Sequence, residues 1–150
     1  MPQSLSDVAI HIVFSTANRH PWIKTTIESE LHSYMVGICR NLDSPVIKIN
    51  GTEDHIHILL VLGRTISISK LVSELKSNSS RWIKLKDALL CDFAWQRGYG
   101  VFSVSRPNID SVIKYIASQK EHHKTLTFKE ELLSLLSRAG LSYDEKYLWD

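Results

Sequence analysis

One apolar run limits the fold of this chain more than any other feature. Residues 54–62 read DHIHILLVL and lie between Gly51 and Gly63, a pattern typical of a buried β-strand. Side chains alternate along a strand, so His55 and His57 share one face, roughly 7 Å apart, and the isoleucines between and after them line the other. Two imidazoles held at this spacing can bind one divalent ion. The alternative is a pair of half-buried, hydrogen-bonded histidines.

Composition narrows the class of protein. The chain has 150 residues, 43% of them hydrophobic, which suits one folded domain with a real core and argues against disorder. We therefore expect a single domain over residues 1–150. The net charge is only +2, so an anionic partner must be bound by a local patch.

The cysteines and the hydropathy pattern bear on the compartment. Cys39 and Cys91 have no Cys-x-x-Cys spacing and lie in apolar or mixed surroundings, so we expect reduced core thiols. No stretch reaches about 18 apolar residues, and the N-terminus lacks a basic region followed by an apolar run. These features predict a cytoplasmic protein without a membrane span.

The first half of the chain predicts a strand, a helix and a hairpin. Residues 8–14 alternate in hydropathy as a first strand does. A capping-box pattern at residues 25–28, followed by apolar residues at helical spacing, predicts a helix over residues 26–40. Residues 46–49 then form a short strand, and the Asn-Gly pair at positions 50 and 51 turns it antiparallel into the histidine strand.

The second half contains the same kinds of signal. They predict a helix capped by Ser67 or Ser69, followed by β-rich segments at residues 93–96 and 99–105. Pro107 and Asn108 open a third helix, and a fourth helix is capped at residues 127–130 and stops at Gly140. We expect the aromatic tail over residues 141–149 to dock on the body of the protein.

This order of elements predicts a ferredoxin-like α+β fold. Strand, helix, strand, strand, helix, strand gives an antiparallel sheet with two helices on one face, in which the first and third strands are the central pair. The histidine pair would then lie mid-sheet, on the face away from these helices. We expect the later, C-terminal helix that carries Tyr115 to cross that face above an open cleft with a metal at its floor.

Two polar segments are candidates for contact with an anionic polymer. The second helix carries residues that suit phosphate oxygens, and a tryptophan on which an unpaired base can stack: Lys76, Asn78, Ser79, Ser80, Arg81 and Trp82. Asn18 and Arg19 form a polar loop at the exit of the first strand. An ordinary solvated helix face, with the tryptophan in the core, and a solvated turn are the alternatives.

Tyr115 lies about 110° from the centre of the apolar stripe of the third helix, so its hydroxyl is not placed for burial. Gln119 and His122 share its flank. Surface decoration explains such a flank equally well. On the first strand, His11 is either a third ligand or a polar residue on the second face of that strand.

Five blocks of sequence carry a family resemblance along nearly the whole chain: residues 11–19, 51–59, 76–82, 95–105 and 115–123. Together they resemble the single-tyrosine transposases of the insertion sequence 200/605 group, including relatives associated with repeated extragenic palindromes. This group belongs to the HUH endonucleases, named for a His, bulky apolar residue, His pattern, which residues 55–57 match.

The resemblance implies a set of catalytic roles. Tyr115 would attack a phosphodiester in line and leave a 5′-phosphotyrosine link with a free 3′-hydroxyl. A divalent metal on His55 and His57 would help this weak nucleophile by polarising the phosphate. Gln119 matches the third metal ligand of the family. An amide oxygen with two imidazoles favours Mg²⁺ or Mn²⁺, although imidazole also suits transition metals.

The resemblance also implies partners. Family members act as homodimers on single-stranded DNA that folds into imperfect hairpins near the ends of the element. Two other functions stay open: a domesticated regulator that binds hairpins with little strand transfer, and a metallophosphoesterase that uses the same histidines with water as the nucleophile.

Overall fold

In the computed structural model, which describes residues 2–150, four strands form one antiparallel sheet. They are β1 (Ala9–Ser15), β2 (Val46–Gly51), β3 (His55–Val61) and β4 (Gly100–Val104), and their order across the sheet is β2-β3-β1-β4. β1 and β3 are therefore the central pair, which confirms the position predicted for the histidine strand. All three strand pairings are antiparallel.

Six helices complete the described part of the chain. They are α1 (Thr25–Asn41), α2 (Ile68–Lys86), α3 (Ile109–Ala117), α4 (Gln119–His122), α5 (Phe128–Ala139) and α6 (Glu145–Leu148). The predicted caps of α2 and α5 form: Ser67 accepts a hydrogen bond from the Lys70 amide, and Thr127 and Glu130 make a reciprocal capping box. Gly140 ends α5 in the left-handed conformation, with φ of 67°.

The main core lies between the sheet and the pair α1 and α2. Alternate residues of the central strands, such as Ile12 and Ile58, are fully buried there against Leu31 of α1 and Leu75 of α2. The element order and the two helices on one face confirm the predicted ferredoxin-like α+β architecture.

Helices also cover the opposite face of the sheet. Phe128 and Leu132 of α5 pack on Val13, and Ile116 of α3 packs on Leu59. The open cleft expected from the sequence is therefore absent between these residues, because α5 closes over the face that carries the histidines. The sequence pattern of α5 predicted a helix but not the surface on which it packs.

Some local predictions differ from the structure. Residues 93–96 are not a strand, and only one isolated bridge joins Trp95 to Thr16. The capping box predicted at residues 25–28 does not form, because Thr25 is already helical and Lys24 is the residue before the helix. Cys39 is buried as expected, whereas Cys91 is exposed.

Within residues 2–150, none of the helices is both long enough and apolar enough to span a bilayer.

We expect Ile58→Ala to lower the free energy of unfolding by about 2–5 kcal/mol, because it leaves a cavity between β3 and the two core helices. Ile47→Ala is the matched control: this residue of β2 is 39% exposed, and its truncation should cost about 1 kcal/mol or less. Urea denaturation of both variants measures the difference. Equal losses would contradict the placement of the core.

Candidate active site

The two histidines of β3 lie on one face of the sheet, as predicted. Their ring centroids are 5.2 Å apart, and their side chains are buried, with 1% exposure for His55 and none for His57. They occupy the face covered by α3, α4 and α5, opposite the main core. A pair of imidazoles buried this deeply needs polar partners on the covering helices.

A carboxylate that sequence reasoning missed supplies that partner. Glu131 of α5 is only 1% exposed, and its oxygen Oε1 lies 2.9 Å from Nε2 of His57 and 3.0 Å from Nε2 of His123. Its second oxygen, Oε2, accepts hydrogen bonds from the Tyr115 hydroxyl and, at 3.0 Å, from Nε2 of Gln119. One buried carboxylate therefore contacts residues from β3, α3 and α4, and the segment that follows.

The charges of this cluster follow from burial and from these contacts. Burial alone would raise the pKa of Glu131, but hydrogen bonds from His123 and His57 hold it well below its usual range. Burial lowers the pKa of His57 to about 4 despite its bond to the carboxylate. Burial also disfavours the charged form of His123, but the hydrogen bond to Glu131, the charges of Glu131 and Asp54 and a backbone hydrogen bond together raise its pKa. Glu131 is therefore ionised and His57 neutral near pH 7.

His55 has a separate set of contacts. Its Nδ1 lies 2.7 Å from Oδ1 of Asp54 and 2.9 Å from the Thr52 hydroxyl. Because a carboxylate only accepts, Nδ1 carries the hydrogen. The other nitrogen, Nε2, faces two further acceptors: Oε1 of Gln119 at 2.9 Å and Oε1 of Glu131 at 3.4 Å. Acceptors that converge in this way can hold a metal ion between them.

The donor set fits a divalent metal. One ligand atom each from His55, His57 and Glu131 lie within 4.8 Å of one another, and all three residues are buried. Two imidazoles and a carboxylate are a common ligand set for divalent metals, and the hydrogen bond from His55 to Asp54 is the outer contact that ligating histidines usually make. The oxygen of Gln119, predicted as the third ligand, faces the same point.

Tyr115 lies beside His57 of the same chain. Its ring centroid lies 5.8 Å from that of His57, and its hydroxyl bonds to Glu131. The side chain is half-buried, whereas its helical position predicted an exposed hydroxyl. Burial, together with the nearby carboxylate, raises the pKa of the Tyr115 hydroxyl. The phenol is thus held neutral and is a weak nucleophile until positive charge is supplied nearby.

A break in the helix directs Gln119 into the site. The sequence predicted one continuous helix through Tyr115, Gln119 and His122, but α3 ends at Ala117, and Ser118 has non-helical angles. The amide of Asn50 on β2 donates to the carbonyls of Ile116 and Ala117, at 2.9 and 3.3 Å, and so holds this end of α3 against the sheet. The new turn places Gln119 fully buried beside His55.

Glu131 left a weak signal in the sequence. It lies three residues after Phe128 and four before Leu135, so it is an acidic residue inside the apolar stripe of α5. A lone charge in such a stripe indicates a buried, paired carboxylate. His123 gave no comparable signal, because it follows α4 in an irregular segment.

The predicted DNA-contact residues of α2 have varied surroundings. Nζ of Lys76 donates to the carbonyls of Gln96, Arg97 and Gly98 at 2.8, 3.1 and 2.7 Å, and burial lowers its pKa to about 8. The Ser79 hydroxyl is buried and accepts from Nε1 of Trp95 at 2.9 Å.

The others lie nearer the surface. Trp82 stacks on Tyr34 with centroids 5.4 Å apart, and Asn78 donates to Glu74 at 3.0 Å. Arg81 is exposed, and Ser80 is partly exposed.

The loop after β1 lies beside the tail of the chain. Asn18 is exposed, and both it and Arg19 have positive φ, near 55°. The Arg19 guanidinium donates to the Trp149 carbonyl at 3.3 Å and lies 5.6 Å from its ring. The backbone amides of Arg97 and Gly98 donate to the carbonyl of Asp150, at 2.8 and 3.2 Å. The tail therefore connects the loop after β1 to residues 97 and 98, whose carbonyls accept from Lys76 of α2.

A groove between α2 and the loop that follows Phe93 has a volume of about 480 Å³. We call it the α2 groove. Its described lining includes Lys76, Ser80, Lys84, Arg97 and Tyr99, and no aspartate or glutamate is among the described residues that line it. Its basic and aromatic character suits a nucleic-acid backbone with unpaired bases.

Comparison with known proteins shows which family the sequence matches. The sequence model of one family, described as "Transposase IS200 like", matches residues 4–119. The ISDra2 transposase TnpA of Deinococcus radiodurans is 26% identical over 116 residues, which span 74% of this chain and 83% of that protein.

Two solved structures share the fold. A Deinococcus radiodurans R1 protein assigned as a transposase has a TM-score of 0.61 at 21% identity, over 79% of this chain and 98% of its own. A REP-associated tyrosine transposase bound to a REP hairpin has a TM-score of 0.63 at 15% identity, over 84% of this chain and 74% of its own. The family model spans most of the chain, and the fold agrees with it. The chain therefore belongs to the IS200-like transposases, a family of DNA-cleaving enzymes.

Proposed function

We propose that this transposase cleaves and rejoins single-stranded DNA through a 5′-phosphotyrosine intermediate on Tyr115. One observation supports this most: the Tyr115 hydroxyl and the ring nitrogens of His55 and His57 all face the same buried carboxylate, Glu131. A nucleophile and a metal-ligand set are thus held together within one chain, which is the arrangement that a tyrosine nuclease needs.

In the cleavage step, the Tyr115 oxygen forms a bond to the phosphorus as the bond from phosphorus to the 3′-oxygen breaks. The phenol loses its proton and the departing 3′-oxygen takes one up, so no net proton is released. The products are a 5′-phosphotyrosine link and a free 3′-hydroxyl. A second 3′-hydroxyl can attack that link and reform a phosphodiester, which returns the tyrosine. Strand transfer therefore needs no nucleotide cofactor, because the energy of the broken bond is kept in the link.

Within the site, the protein residues bind and orient. Glu131 accepts the hydrogen bond of the Tyr115 hydroxyl and fixes where the phenol oxygen lies. The burial of His55 and His57 keeps bulk water away from their ring nitrogens.

His55 and His57 would hold the divalent metal, with oxygen from Gln119, as the family resemblance implies, or from Glu131, as the donor geometry favours. A bound Mg²⁺ or Mn²⁺ supplies Lewis-acid stabilisation of the charge that grows on the phosphate. Oxygen ligands of this kind favour these two hard ions.

We propose single-stranded DNA with imperfect hairpins as the substrate, bound by a homodimer. The α2 groove supports a DNA-binding surface formed by Lys76, Ser80 and their neighbours, and the REP-bound relative is described with hairpin DNA. The roles in DNA contact proposed for Asn18, Arg19, Asn78, Ser79, Arg81 and Trp82 extend this surface along α2 and to the loop after β1.

Tyr115→Phe should abolish the covalent protein–DNA adduct and leave hairpin affinity unchanged, because only the nucleophilic oxygen is removed. The assay incubates the protein with Mn²⁺ and a hairpin-bearing oligonucleotide from the ends of its element, and denaturing gels detect the adduct. Tyr147→Phe, at a tyrosine that is 60% exposed on α6, is the control and should react like wild type. Tight hairpin binding by a wild-type protein that forms no adduct would instead indicate a regulator.

Removing a metal ligand should weaken Mn²⁺ binding, measured by the loss of the free-ion electron paramagnetic resonance signal. We expect the largest loss, on the order of 100-fold, for His57→Ala. Glu131→Gln should weaken binding more than Gln119→Leu, because a carboxylate is an anionic ligand and an amide is neutral.

Glu130→Gln is the matched control for Glu131→Gln, since it changes one charge on the same helix and glutamine preserves the capping box. Wild-type affinity in His57→Ala would overturn the metal site. Equal affinity in Glu131→Gln and wild type would leave Gln119 as the oxygen ligand.

Lys84→Ala and Arg97→Ala should each weaken oligonucleotide binding and reduce the slope of log K against log salt by roughly 0.7–0.9, the value of one phosphate contact. Fluorescence anisotropy at several salt concentrations measures this slope. Lys70→Ala is the control, because this α2 lysine pairs with Glu74 outside the groove. An unchanged slope in both groove variants would place the DNA elsewhere.

A further inference from the structure

His11 of β1 is a buried group that the proposed chemistry does not use. It is only 4% exposed, and its Nε2 lies 2.7 Å from Nδ1 of His57. The two rings stack with centroids 5.0 Å apart and planes 30° apart. The strand register explains the contact: His11 pairs with Leu59, which lies two residues after His57, so the two histidines are diagonal neighbours on one face.

The two histidines of β3 have matching outer contacts of different chemistry. Nδ1 of His55 bonds to the carboxylate of Asp54, and Nδ1 of His57 bonds to the imidazole of His11. In metal sites, the ring nitrogen away from the ion usually donates to such a partner, which fixes the ring and its tautomer. His11 thus takes the place for His57 that Asp54 takes for His55.

We propose that His11 is the positioning residue of the ligand His57, and that it reverses the direction of their shared hydrogen bond when a divalent metal binds. This inference rests on the metal site proposed above.

The contacts in the structure fix the direction of the hydrogen bond between His11 and His57. The Glu131 carboxylate can only accept, so the hydrogen of neutral His57 lies on Nε2, 2.9 Å from it. Nδ1 of His57 is then an acceptor, and Nε2 of His11 donates to it.

Metal binding at Nε2 of His57 needs the opposite arrangement. The proton on that nitrogen leaves to solvent, the proton on Nε2 of His11 crosses to Nδ1 of His57, and Nδ1 of His11 takes one from solvent. Neither ring changes its charge. A ring nitrogen of an imidazole donates in one tautomer and accepts in the other, whereas the carboxylate beside His55 can only accept.

Packing around His11 holds its ring next to that of His57. The ring of Phe102 lies 6.2 Å away, and that of Tyr115 meets it edge-on at 6.1 Å. His11 is therefore held between β4 and α3, and the position of its nitrogen is set by packing as well as by the hydrogen bond.

Ring nitrogen NMR tests the reversal directly, because the two neutral tautomers of a histidine have distinct ¹⁵N shifts. In the wild-type protein we expect His57 to change from the Nε2–H to the Nδ1–H form on saturation with diamagnetic Mg²⁺, and His11 to change likewise. Tautomers that do not respond to a bound ion would overturn the proposal.

Mn²⁺ affinity provides the second readout. His11→Phe should weaken binding about 10- to 100-fold, the usual cost of losing an outer-shell partner. His11→Gln, which keeps a donor and an acceptor, should recover most of the loss, and it also serves if the phenylalanine variant does not fold. His20→Phe, at an exposed histidine outside the site, is the control.

The outcomes separate this inference from the metal site itself. Strong Mn²⁺ binding that depends on His57 but is unchanged in His11→Phe would overturn the role of His11 alone. A wild-type protein that binds no Mn²⁺, or binds it equally well in His57→Ala, would overturn both.

Discussion

The structure of the site depends on one buried negative charge. An ionised carboxylate inside a protein is costly unless donors surround it, and Glu131 meets that requirement with the rings of His57 and His123, the Gln119 amide and the Tyr115 hydroxyl. These donors come from different elements, so the charge fixes how α3, α4 and α5 sit on the sheet. The same contacts hold the Tyr115 phenol beside a donor set that could bind a divalent metal.

The sheet supplies the rigid part of this arrangement. β3 is a central strand, and its two ladders hold His55 and His57 in a register that also aligns His11 of β1. The helices supply the adjustable part, because Gln119 reaches the site only through the break at Ser118. A site that joins elements so distant in sequence gains precision from the central strands and adaptability from the helix ends.

Polar residues that look alike in the sequence have different roles in the fold. Lys76, which we propose as a DNA contact, also donates to three carbonyls of one loop and thereby shapes the α2 groove. Ser79 is buried against Trp95, whereas Arg81, two residues later, is exposed. Helical periodicity places each residue on a face but does not say what packs against that face, so the sequence predicted a polar segment and the fold decided which members support it.

The sequence alone determined the order of strands and helices, the central position of the histidine strand and the shared face of His55 and His57, because hydropathy periods and turn residues act over a few neighbouring positions. It also singled out Tyr115 and Gln119, through their match to a known family. Only the tertiary structure decided that α5 covers the histidines, that Glu131 joins them to the tyrosine and that His11 contacts His57. The contacts of His57 with His11, and of His55 and His57 with Glu131, join residues 46 to 76 positions apart, which no local pattern encodes.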